Sequence, residues 1–164
     1  MMTKRSRSKR LAADREEPTV HDVAQYILDE LGTIDTMKLQ KLCYFAQGWS
    51  LTKLQRPLFH EPIEAWRMGP VVRALYRHHR GQARVSSWDH ADADSSRLSR
   101  DQRIIVSTVI NAYRHTDGFK MGRDTHKHTP WIDAYENASP TDRGRNVMPE
   151  EEIRKYFDEL AEHL

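Results

Sequence analysis

The stretch 36–51 constrains this chain more than any other. Met37, Leu39, Leu42, Cys43, Phe45, Ala46 and Trp49 recur at helical spacing and cover most of a helix circumference, leaving a narrow polar strip around Lys38, Lys41 and Gln47. A helix apolar on nearly every side has little to offer water, so it belongs at the centre of a core. At 164 residues the chain is long enough to wrap such a helix as one domain without disulfides or metal. Its single cysteine, Cys43, lies inside the apolar run and reads as a buried structural thiol, at ease in a reducing compartment.

Around that helix the other elements follow from caps and spacing. Thr19 and Asp22 stand at capping-box spacing, and Val20, Val23, Ala24, Ile27, Leu28 and Leu31 continue as one helix that Gly32 ends. Between Pro57 and Gly69 good helix formers are few and Ile63–Met68 reads as extended, so a small β element, strand or hairpin, is expected around residues 59–68. Pro70 is read as the first residue of the next helix, with Val71, Leu75 and Tyr76 on a common side and Gly81 at its end. Residues 82–98 are polar and read as a loop. Ser99 and Gln102 cap a further helix, its stripe Ile105, Val109, Ala112 and Tyr113 and its end Gly118. The segment holding Gly122 offers no clean pattern; a short helix then starts at Pro130 under a Thr129 cap, with Trp131 and Ala134 inward. The last helix starts at Pro149, with Glu150, Glu151 and Glu152 at its positive end and Ile153, Tyr156, Phe157, Leu160 and Leu164 facing the core. The fold class is therefore mainly α: a compact single-domain helical fold over residues 18–164 with one small β element.

Residues 1–17 have almost no large apolar side chain and read as a disordered basic tail. Charge is uneven along the chain. Residues 1–18 hold six basic and three acidic side chains, which leaves 20 basic and 21 acidic residues in the body. A near-neutral body does not carry the electrostatic footprint of a phosphate-binding fold, so nucleic acid is expected only through the tail, and a nucleic-acid-binding regulator acting through it is the alternative function. No apolar run approaches bilayer length, and the basic start leads into Asp14, Glu16 and Glu17 instead of an apolar signal core, so the expected location is the cytoplasm, with no membrane partner.

Chemistry-bearing constellations are scarce. His126 with His128, and His78 with His79, miss the spacing of three or four that two zinc ligands on one helix need, and no cysteine pair completes a tetrahedron. Asp89, Asp92 and Asp94 lack the glycine and terminal glutamate of a calcium loop. Neither a phosphate-binding glycine loop nor a nucleophile elbow occurs. The expectation is a protein with no catalytic residues, no metal and no cofactor. Trp66, Arg67, Gly69 and Pro70 concentrate an indole, a guanidinium and a rigid turn at an element boundary; they suit an interface, although Trp66 packed in the core with Gly69-Pro70 merely redirecting the chain fits as well.

Read together, KLQKLCYFAQGWSL at 38–51, PLFHEPIEAWRMGPVVRALY at 57–76 and THKHTPWIDA at 125–134 resemble the Panacea domain, found in antitoxins that act as proteolysis adaptors and in phage-associated proteins. The blocks lie in order, and with the flanking helices the resemblance spans roughly residues 19–162. It implies a mainly helical fold and an antitoxin that neutralises a protein toxin encoded by an adjacent gene. Two routes are implied, occlusion by direct binding or presentation of the toxin to a cytoplasmic ATP-dependent protease. On this resemblance Trp66, Arg67, Gly69, Pro70, His126 and His128 are the candidate partner-binding residues, with His126 and His128 expected as exposed polar groups beside a helix start.

Overall fold

The computed structural model describes residues 17–138, 141 and 146–164, so residues 1–16 of the expected tail lie outside the described residues. Among these the chain runs α1 (Val20–Leu31), β1 (Ile34–Asp35), α2 (Thr36–Lys53), β2 (Ile63–Trp66), β3 (Gly69–Val72), α3 (Arg73–His79), β4 (Arg84–Val85), a 3-10 turn (Ser95–Arg97), α4 (Arg100–Ala112), α5 (Gly118–Thr125), α6 (Thr129–Tyr135), β5 (Asn146–Val147) and α7 (Glu150–Glu162). The architecture is mainly α. None of these helices is long and apolar enough to cross a membrane.

Helix α2 occupies the centre, as its composition requires: Leu39, Leu42, Cys43, Tyr44 and Ala46 have no exposed surface. Helices α4, α5 and α7 and strand β3 pack around it. The approach of α7 depends on Gly48, where a Cβ would stand 2.2 Å from the Phe157 ring. Phe157 meets the rings of Tyr44 and Trp49 edge-on at centroid distances of 5.7 and 5.4 Å. Such edge-to-face packing suits the ring quadrupoles. Burial pushes the Cys43 thiol pKa far up, which keeps it protonated and inert.

The small β element is larger than expected. Strands β2 and β3 form an antiparallel hairpin with Ile63 opposite Val72 and Trp66 opposite Gly69, and β5 pairs on the other side of β2. Pro70 therefore lies in a strand, not at a helix start; β3 is an edge strand, where a missing N–H is tolerated. The helix begins at Arg73, because the backbone of Val72 is held extended by the Gln40 side chain, whose amide donates to the Val72 carbonyl at 3.2 Å while its oxygen accepts from the Val72 N–H at 2.8 Å. The stretch 82–98 is likewise not all loop, since Arg84–Val85 pairs with β1 and Ser95–Arg97 makes a 3-10 turn. Fully buried Asp22 ties this region to α1, accepting from Thr19 N, Asp94 N and Arg97.

Three helix readings shift. Helix α4 ends at Ala112, and Gly118 opens α5 under an Asp117 cap instead of closing the helix before it. The buried stripe of α4 is Gln102, Val106, Val109 and Ile110, while half-buried Ile105 and exposed Ala112 line an open apolar groove of about 540 Å³ with Trp49, Thr108 and Tyr113. In α7, Ile153 and Phe157 are buried, but Leu164 is 89% exposed and does not reach the core. The capping boxes at Thr19 and Ser99 stand where the sequence places them.

Candidate functional site

The polar strip of α2 is the key to the site, because its side chains are buried and each binds a backbone group of a non-helical segment. Gln47 accepts from Leu58 N and Phe59 N and donates to the Phe59 carbonyl, holding the strand approach. Lys38 donates from Nζ to the Arg114 carbonyl at 3.0 Å, bracing the α4–α5 connection. Gln40 clamps Val72 and also meets His79 Nε2 at 2.9 Å. Lys41, 1% exposed, donates from Nζ to the Pro70 carbonyl at 2.9 Å. A buried polar group without a partner is costly, so each of these contacts fixes a place in the fold. Among the described residues Lys41 has no ion-pair partner, and burial alone lowers its pKa to about 7.

The second support comes from α5 and α6. Trp131 Nε1 donates to the Trp66 carbonyl at 2.8 Å, and His126 Nε2 donates to the Arg67 carbonyl at 3.0 Å. The His126 and Trp131 rings stack at 4.3 Å. A Cβ on Gly122 would stand 2.6 Å from the Met68 carbonyl oxygen, so helix α5 presses its glycine against the turn. Gly69 has φ of +112° and faces Thr125 Oγ1, which a Cβ would meet at 2.6 Å; backbone conformation and space both demand glycine there. The carbonyls of Trp66, Arg67 and Pro70 are thus taken by Trp131, His126 and Lys41, three side chains from three helical segments.

Side chains around the turn are split between support and display. Trp66 is half-buried, edge-on to Tyr76 at 4.9 Å, and covered by the Arg73 guanidinium at 5.3 Å. Arg73 in turn binds buried Glu64 through two hydrogen bonds of 2.6 and 2.8 Å, the bidentate fit of a guanidinium to a carboxylate. Arg67 and Met68 point to solvent, whereas Gly69 and Pro70 are buried.

Of the residues singled out from sequence, the structure brings Trp66, Arg67, Gly69, Pro70 and His126 together at this turn. His128 is corrected: it is 5% exposed and lies in the core, hydrogen-bonded through Nδ1 to Tyr44 Oη at 2.8 Å and stacked on Tyr156 at 4.2 Å. Burial lowers its pKa to about 4. It also takes the cap position of α6, which starts at Thr129. The neighbouring residues Phe119 and Arg123 carry no helical signal in the sequence, because the two glycines of α5 interrupt its pattern.

A second cluster joins His21, His78 and His90 around Trp88. Trp88 Nε1 donates to His21 Nδ1 at 3.1 Å, and His21 lies flat on His90 at 3.6 Å. Burial, then the neighbouring His90 and His78, lowers the His21 pKa to about 4. Stacked rings aim their in-plane nitrogens away from a common point, and no group of three metal-type side chains able to hold an ion occurs among the described residues.

The carbonyls of the turn are tied from beneath, and Arg67 and Met68 are left to solvent. Residues 39–132, more than half of the chain, match the family model described as Antitoxin SocA-like, Panacea domain, and the chain belongs to that family. It is similar to Antitoxin SocA of Caulobacter vibrioides (strain NA1000 / CB15N), with 38% identity over 71 residues, which cover 41% of this chain and 38% of that protein. The chain thus spans well under half the length of this curated relative. No solved structure matches.

Proposed function

We propose that this chain is a cytoplasmic antitoxin that neutralises a protein toxin encoded by an adjacent gene, by direct contact through the β2–β3 turn. Trp66, Arg67, Gly69, Pro70 and His126 form the contact region, and His128 supports it from inside by fixing the start of α6. The observation that carries the reading is the convergence of two motif blocks, one through Lys41 and the other through His126 and Trp131, on the backbone of an exposed turn in the third. A fold spends buried polar contacts in this way where a loop must keep one shape, and a preformed loop loses less entropy on binding. Presentation of the bound toxin to an ATP-dependent protease is a second step compatible with the same contact.

Co-expression with the neighbouring gene tests this by growth rescue and pull-down. Arg67→Ala should cost about 2 kcal/mol of binding, a fall of roughly thirtyfold, as for a central arginine anchor. A neighbour that is harmless alone, or that is neutralised without physical contact, overturns the antitoxin reading. An undiminished complex with folded Arg67→Ala overturns the assigned surface and leaves the role standing. The toxin's half-life in cells, with and without this chain, separates proteolysis from occlusion.

A further inference from the structure

Helix α5 lies against the candidate turn with one face buried and one face open. Gly118, Met121, Gly122 and Thr125 are covered by α2 and the hairpin. Phe119, by contrast, is 60% exposed. It stands three residues before Gly122, the residue that touches the Met68 carbonyl, so helical periodicity puts it on the flank of α5 nearest the turn. Met68 at the tip of that turn is 40% exposed. Lys120 and Arg123 follow at helical spacing on the outward side, Lys127 stands in the turn just past the helix end, and Arg67 adjoins them through the His126 bond. None of these four cations makes an ion pair or side-chain hydrogen bond among the described residues, and the carboxylate that lies among them in sequence, Asp124, is half-buried beside Tyr113, whose pKa burial and then this carboxylate raise. Asp117 is engaged as the α5 cap.

We propose that the outward face of α5 and the tip of the β2–β3 turn dock an acidic segment of a partner protein that carries large apolar side chains, with Phe119 and Met68 taking the apolar contacts and Arg67, Lys120, Arg123 and Lys127 the carboxylates. Cations around a small apolar centre match a partner with the reverse pattern, carboxylates at the rim and aliphatic or aromatic side chains between them. A DNA duplex would satisfy the charges, but its bases are stacked inside the helix and leave the apolar surface of Phe119 and Met68 uncovered, and the body outside residues 1–18 is near neutral. The inference rests on the antitoxin reading for the partner's identity; the chemistry of the surface stands on its own.

The test uses the full chain with two variants, Phe119→Ala and the double Arg123→Glu, Lys127→Glu, each shown by thermal melting to keep the wild-type midpoint. The first probe is the purified product of the adjacent gene. Each variant should weaken the complex about tenfold or more, and the charge reversal should also flatten its salt dependence. Wild-type affinity in both variants overturns the docking surface while the toxin contact itself survives. If that product does not bind at all, the antitoxin reading fails, and a second probe decides the surface alone: a short peptide alternating Glu with Leu and Phe, against its Gln-for-Glu counterpart and a DNA duplex. Preference for the acidic peptide, lost on charge reversal, supports the inference. Equal binding of the two peptides, or preference for the duplex, overturns it.

Discussion

Lys41 shows how one residue can be legible as a pattern and illegible as an environment. The polar strip on an otherwise apolar helix is visible in sequence, but a strip of lysines and glutamines reads equally well as a solvent edge. What decides the matter is the hairpin, whose backbone needs partners that only long polar side chains from α2 can supply. The pKa consequence is testable. Lys41 falls from the ordinary 10.5 to about 7, so between these values the unfolded chain holds a proton that the folded chain does not, and stability rises with pH across that window. From pH 7 to about pH 9 the gain should be about 2 kcal/mol. Lys41→Met keeps the length and removes the titration. Its denaturation midpoints over this range should lose that slope relative to wild type; parallel curves would show that the amine is solvated. His128 teaches the opposite lesson, since a histidine between Lys127 and Thr129 gives no local sign that Tyr44 and Tyr156 will enclose it.

Element boundaries divide by the kind of signal that sets them. Caps are local, and the starts at Thr19 and Ser99 stand as read because Asp22 and Gln102 complete their boxes within one turn. The hairpin's second strand and helix α5 are hidden in the sequence for a non-local reason. Pro70 and Gly122 look like helix punctuation, yet Pro70 is kept extended by bonds from α2, and Gly122 sits inside a helix because the Met68 carbonyl leaves no room for a Cβ. Of the candidate site, the turn itself was legible from its Trp-Arg and Gly-Pro pairs; its support by Trp131 and His126 was not, because those residues lie some 60 positions away. The same close-approach logic applies at Gly48. Gly48→Ala inserts a methyl into the Phe157 ring within a helix that would otherwise favour alanine, so packing must oppose propensity. Overpacking wins, and a loss of about 1–3 kcal/mol is expected from thermal or urea unfolding. A stabilised variant would mean that α7 can slide off α2 freely. Trp49, half-buried against Phe157 and open to the groove, should cost less on truncation to Ala than a fully buried indole, for which about 3–5 kcal/mol is usual.

At the scale of the whole molecule, the three bases His21, Lys41 and His128 act in one direction, because burial favours the uncharged form of each. His21 and His128 drop from 6.5 to about 4, and Lys41 from 10.5 to about 7, each with burial as the largest cause. In all three the unfolded chain binds more protons over the interval, so stability is lost as pH falls from 10.5 to about 7 through Lys41 and from 6.5 to about 4 through the histidines. His128 alone, well buried, should contribute about 3 kcal/mol of that acid loss. The alkaline limb has the reverse sign. Burial raises the Cys43 pKa above 9.0 and the Tyr44 pKa well above 10.0, so past these values the unfolded chain gives up protons that the folded chain keeps, and stability declines again. The limbs meet on the alkaline side of neutrality, whereas a domain governed by surface carboxylates tends to be most stable between about pH 5 and 8. Urea unfolding from about pH 4 to about pH 11 should therefore give a maximum between roughly pH 9 and 10. His128→Gln, which cannot titrate in this range, should shallow the acid limb and leave the alkaline one untouched. A maximum at or below pH 6, or an acid limb unchanged in His128→Gln, would mean that these side chains meet water in the folded state.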